Sequence, residues 1–91
     1  MATERSKRAT RGKGTKAEAV MSIEYLLVVF PEDRTVLADG DSVGVTNHVL
    51  MLPANEYEIT LSGQGYTPDS QDVILAGTSV MRPRVVTFDK A

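Results

Sequence analysis

The 91-residue chain contains no cysteine. That one absence removes disulfide staples, thiolate zinc sites and thiol nucleophiles together. It also favours a reducing compartment, because secreted domains of this size often depend on disulfides. Long apolar runs are missing as well. The most apolar stretch, Tyr25 to Phe30, is six residues, far short of the roughly twenty that cross a bilayer as a helix. No apolar h-region and cleavage site follow the basic N-terminus, so no secretory signal is read. A soluble, cytoplasmic chain that is not an integral membrane protein is expected. Histidine occurs once, at His48, and no serine or cysteine pattern accompanies it to build a nucleophilic relay.

The small net charge of −2 hides a division. Residues 1–16 hold Arg5, Lys7, Arg8, Arg11, Lys13 and Lys16 against the single acid Glu4, a net of +5. The rest of the chain has four basic residues against eleven acids, a net of −7. Such a partition reads as a basic arm on an acidic body. The arm has almost no apolar anchor, its cations repel one another, and Gly12 and Gly14 weaken any helix. Residues 1–22 are therefore expected to be a tail, disordered unless bound. Ala17 to Met21 could add one helical turn, which is not stable alone.

From Ile23 onward, strand patterns take over. Ile23–Phe30 is rich in β-branched and large apolar residues and stops at Pro31. Apolar side chains on both of its faces predict a central strand covered on each side. Short strands are expected at Thr35–Ala38, Val43–Thr46, Val49–Leu52, Val73–Leu75 and Val85–Phe88. The clearest lies between Val49–Leu52 and Val73–Leu75: Tyr57, Ile59 and Leu61 alternate with Glu56, Glu58, Thr60 and Ser62, which is period two with one wet face. Its apolar face should meet Leu27 and Val29, or their alternates Val28 and Phe30. Asp39-Gly40 is a strong hairpin signal. Six or seven short strands at spacings near ten residues predict an all-β fold, a small antiparallel β-sandwich over residues 23–91.

Two stretches carry a family resemblance. One runs from Val36 through Asp39-Gly40 to Gly44-Val45-Thr46. The other runs from Leu52-Pro53-Ala54-Asn55 through the alternating strand to Gly65-Tyr66. Together they resemble the PEGA domain family, small Ig-like β-sandwich modules found widely in prokaryotic proteins, over roughly Glu24 to Phe88. The chain has Asn55 where the family usually has glycine, and Asn47 where it often has proline. Asn55 is accordingly expected in a tight turn near positive φ. The resemblance implies a module for binding, spacing or assembly, with no catalytic motif to carry over. Many such modules lie in cell-envelope proteins, so an adhesion or spacer role there is a further alternative.

Nothing in the sequence makes a persuasive active site. Asp39, Asp41, Glu32 and Asp33 lack the dense carboxylate spacing of a calcium loop. Glu56 and Glu58 share a strand face that reads as solvated. Gly63-Gln64-Gly65 has neither the helix nor the lysine of a phosphate loop. Tyr66 reads first as a packing residue and second as a surface contact. The expectation is a non-enzyme without cofactor or metal, an accessory subunit whose arm residues Arg5, Lys7, Arg8, Arg11, Lys13 and Lys16 dock on an acidic protein surface in a larger assembly. That surface could be the body of a neighbouring copy, making a homo-oligomer. Nucleic acid is the alternative partner, disfavoured because the arm has no aromatic residue to stack on bases and the body is acidic.

Overall fold

The computed structural model describes residues 22–91. Nine strands form there, and they make three sheets. They are β1 (Ile23–Val29), β2 (Thr35–Ala38), β3 (Asp41–Val45), β4 (Val49–Pro53), β5 (Asn55–Leu61), β6 (Tyr66–Thr67), β7 (Gln71–Leu75), β8 (Arg84–Thr87) and β9 (Asp89–Lys90). One sheet has the order β4-β1-β8 and the second β3-β2-β5-β7, while β6 and β9 pair as a small third sheet. The fold is all-β, as expected.

The core forms where the inner faces of the two larger sheets meet. Leu26, Val28 and Phe30 come from the first strand and its end, Leu52 from β4, and Val86 and Phe88 from β8 and just beyond it. Val36, Ala38, Ile59, Leu61, Val73 and Leu75 answer from the other side. Period-two alternation selects these residues, because successive side chains leave opposite faces of a strand. The clean alternation in β5 did predict its buried face, with Tyr57 partly buried against it. Of the two registers left open for the first strand, the one through Val28 and Phe30 is the buried one.

Three expectations need correction. β1 is central in its sheet, but only one of its faces is fully buried. Tyr25, Leu27 and Val29 are half-buried, because no second layer packs on them among the described residues. Pairing is also not purely antiparallel: β8 lies parallel to β1, with Leu27 opposite Val85 and Val29 opposite Thr87. A parallel pair needs a long crossover, and here the chain makes β4 and the whole four-stranded sheet before β8 takes its place. Finally, Asn55 does not adopt positive φ. The non-glycine residues that do are Asp39 (51°) and Asn47 (69°).

Both left-handed residues are held by specific bonds. Asp39 and Gly40 (φ 86°) form the two-residue loop between β2 and β3, the conformation that matches strand twist in tight hairpins. Asp39 also fastens β5: its N–H donates to Glu58 O at 2.9 Å, and its Oδ1 accepts from Glu58 N–H at 2.8 Å. Asn47 grips Phe30 from both sides, with Oδ1 accepting from its N–H and Nδ2 donating to its carbonyl. Its own N–H donates to Val28 O at 2.7 Å. Asn55 instead opens β5, its Oδ1 accepting from Glu56 N–H. The arm cations lie outside the described residues.

Candidate interaction surfaces

The outer faces of the two large sheets differ in chemistry. On the three-stranded sheet, Tyr25 stands opposite Met51, and Leu27 lies between Val49 and Val85. Ile23, Val49, Met51 and Val85 are exposed. The strands of this sheet contain two ionisable side chains other than tyrosine, Glu24 and Arg84, and their alternation places both off the outer face. Val80 and Met81 are exposed in the turn that leads into β8. Four of the eight large apolar residues exposed among the described residues therefore lie on this one face.

The four-stranded sheet is acidic outside. Glu56 and Glu58 are exposed on β5, and Glu58 stands opposite Asp72 of β7. Like charges placed directly opposite destabilise a strand pair. The four strands contain no lysine or arginine to offset them.

Where the arm joins, the chain is pinned. Ser22 O accepts from Ala54 N–H at 2.8 Å. Beside it, Glu24 is 6% exposed and stands opposite Leu52. Its Oε1 accepts from the Thr78 hydroxyl at 2.6 Å and from Thr78 N–H at 2.8 Å. Thr78 Oγ1 in turn accepts from Tyr25 N–H at 2.7 Å. The hydroxyl bond first, and the backbone bond second, hold the Glu24 carboxyl below its ordinary value of 4.5, against the opposing push of burial. This relay ties the turn before β8 to the start of β1. No sequence pattern announced it, because the partners lie 54 residues apart.

At the opposite end, Arg34 gathers the chain. Its guanidinium donates to Ser62 O at 3.0 Å and to Gln64 O at 2.8 Å, pairs with Glu32, and lies 5.0 Å from the Phe30 ring centroid. Lys90 Nζ reaches Glu32 at 2.9 Å. Arg34 and then Lys90 lower the Glu32 carboxyl. Gly63-Gln64-Gly65 is thus a turn held by arginine. Two of the four carboxylates weighed for calcium are engaged elsewhere, Glu32 in these ion pairs and Asp39 in the hairpin. No group of three metal-ligating side chains assembles among the described residues. His48 is exposed in the turn before β4.

Tyr66 packs its ring edge-on against Phe88, with centroids 5.4 Å apart and planes at 89°. It is partly buried against the core. β6 and β9 close that end, with Ala91 N–H donating to Gly65 O at 3.0 Å.

A family model, PEGA domain, matches residues 27–84. The chain belongs to the PEGA domain family. No curated protein and no solved structure matches it. The residues that carried the resemblance now have physical roles in this PEGA domain. Asp39-Gly40 is the left-handed hairpin. Thr46 is fully buried, its Oγ1 accepting from Arg34 N–H at 2.9 Å while its hydroxyl donates to Glu32 O at 2.8 Å. Gly44 (φ 153°) leaves room for Leu50, whose Cδ2 would lie 2.3 Å from an added Cβ. Leu52 is buried, and Tyr57 donates its hydroxyl to Pro53 O at 2.6 Å. Burial first, and Asp39 second, raise the Tyr57 phenol above 10.0.

Proposed function

We propose that this PEGA domain is a non-enzymatic accessory module of the cytoplasm, and that its basic arm docks it onto an acidic protein surface within a larger assembly. Family membership supports the coarser part, a small binding or spacer module. The charge partition carries the finer part. Six cations in sixteen residues, joined to a body of net −7, provide attraction with little shape of their own. A protein surface is favoured over nucleic acid by the absence of aromatics in residues 1–16, which leaves the arm nothing to stack on bases.

The test compares the natural chain with one in which Arg5, Lys7, Arg8, Arg11, Lys13 and Lys16 are glutamines. Each is used to capture partners from the source cell after nuclease treatment, and binding is then followed across a salt series. Capture of a protein by the natural chain alone, weakening with salt, is the expected result. Duplex nucleic acid contacted by all six cations would give a slope of log K on log salt near about −5 and would replace the protein reading. Equal capture by both chains would refute a role for the arm.

A further inference from the structure

We infer that Asp39-Gly40 is a latent modification site: the folded hairpin holds it shut, and a chain that opens there converts Asp39 to isoaspartate. The inference is independent of the arm. Of the six aspartates in the chain, Asp39 alone is followed by glycine. Glycine has no side chain to shield its nitrogen, and beyond its chain neighbours nothing lies within 4 Å of where a Gly40 Cβ would stand. The chemistry needs only these two residues and water. The Gly40 nitrogen bonds to Cγ of the protonated Asp39 carboxyl, the carboxyl hydroxyl leaves with the amide proton as water, and a five-membered succinimide results. Water reopens this ring at either carbonyl. Opening at the α-carbonyl breaks its bond to the Gly40 nitrogen, and the main chain then runs through the Asp39 side chain.

Two features of the hairpin block the first step. Asp39 (φ 51°) and Gly40 (φ 86°) form a two-residue loop across which Ala38 stands opposite Asp41. Two positive φ angles in such a loop make the mirror image of a type I turn, with ψ of about +30° at Asp39. A left-handed residue sets its Cβ beside its own carbonyl oxygen. The Gly40 nitrogen lies on the other side of that planar carbonyl carbon, turned away from Cγ. Ring closure needs roughly a half-turn about the Asp39 Cα–C bond, which takes the hairpin apart. The side chain is also committed elsewhere: Oδ1 accepts from Glu58 N–H at 2.8 Å while Asp39 N–H donates to Glu58 O at 2.9 Å.

The reaction therefore draws only on chains opened at this loop, and its rate scales with their population. The product does not fit back. Isoaspartate adds one backbone carbon to a loop built for two residues. Its free carboxylate sits directly on Cα, one carbon short of the reach to Glu58. The pair that suits the turn is thus also the pair that records its opening.

Peptide mapping with electron-transfer fragmentation distinguishes isoaspartate from aspartate. It is applied to the full chain held at about 37 °C and about pH 6, in buffer and in denaturing guanidinium chloride. Asp69-Ser70, exposed in the bend between β6 and β7, is the internal control. In denaturant Asp39 should isomerise faster than Asp69. In buffer the Asp39 rate should fall at least about tenfold further than the Asp69 rate. Asp39→Asn keeps the Oδ1 acceptor and closes the same ring with loss of ammonia, so its deamidation should show the same protection. Chains carrying isoaspartate in place of Asp39, separated and returned to buffer, should unfold at lower urea than the natural chain. Asp39 isomerising as fast in buffer as in denaturant, no isoaspartate there even in denaturant, or an unaltered urea midpoint would each overturn the proposal.

Discussion

Thr46 is the most compact test of how this sandwich is fastened. Its hydroxyl serves two backbone groups at once, accepting from Arg34 N–H and donating to Glu32 O, and the side chain is fully buried. Thr46→Val keeps the shape and removes both bonds, leaving a donor and an acceptor without that partner. With one to three kcal/mol for each orphaned group, and some recovery through water, about 2–4 kcal/mol should be lost. Thr46→Ser does the reverse: it keeps the hydroxyl and deletes a methyl, a loss of about 0.5–1.5 kcal/mol. In a domain of this size 1 kcal/mol moves Tm by about 4–8 °C, so valine should lower it by roughly 10–25 °C and serine by well under half of that. Thermal and urea unfolding followed by far-UV circular dichroism would measure both. An unchanged urea m-value would show that the native and denatured states remain comparable. Should serine prove as damaging as valine, packing of the methyl holds the site and the hydrogen-bond argument fails.

Two further residues lead to measurable outcomes. The lowered Glu24 carboxyl contributes stability that is complete above pH 4.5 and lost as pH falls through its depressed folded value. Urea midpoints between pH 7 and 3 should therefore fall less steeply for Glu24→Gln than for the natural chain, with Glu32 sustaining the remainder; parallel curves would dismiss the relay. Gly44→Ala should lose about 1–3 kcal/mol, because Leu50 must move and alanine must adopt a left-handed φ. A melting curve that matches the natural one would show that β3 accommodates a side chain there.

What the sequence revealed follows from the range of each interaction. Alternation and turn residues act over two to four positions. Ile59 and Leu61 on the buried face, Glu56 and Glu58 outside, and the Asp39-Gly40 hairpin could therefore all be read directly. β6 and β9 are two residues each, too short to carry a period. Parallel pairing of β1 with β8, and the bonds from Glu24 to Thr78, join positions more than fifty residues apart and leave no local trace. The apolar second face of β1 was visible, but its reading as covered assumed a layer that the described residues do not supply. Asn55 misled for another reason. Tolerance of positive φ is a permission, and the residue that uses it is Asn47, whose side chain bonds Phe30 on both sides. The arm was legible only as charge.

The neighbour that completes the central strand is made long after it. β1 is synthesised first among the strands, yet β8 lies beside it only after residues 84–87 have been added. Until then the strand has β4 on one edge and an unfilled ladder on the other, with apolar side chains above and below. Contacts so distant in sequence slow folding, and a nascent chain waiting on them exposes an edge to which other chains can add. A ribosome-bound chain halted before Arg84 should thus remain sensitive to protease and prone to aggregate, however well the hairpin and β5 have already formed.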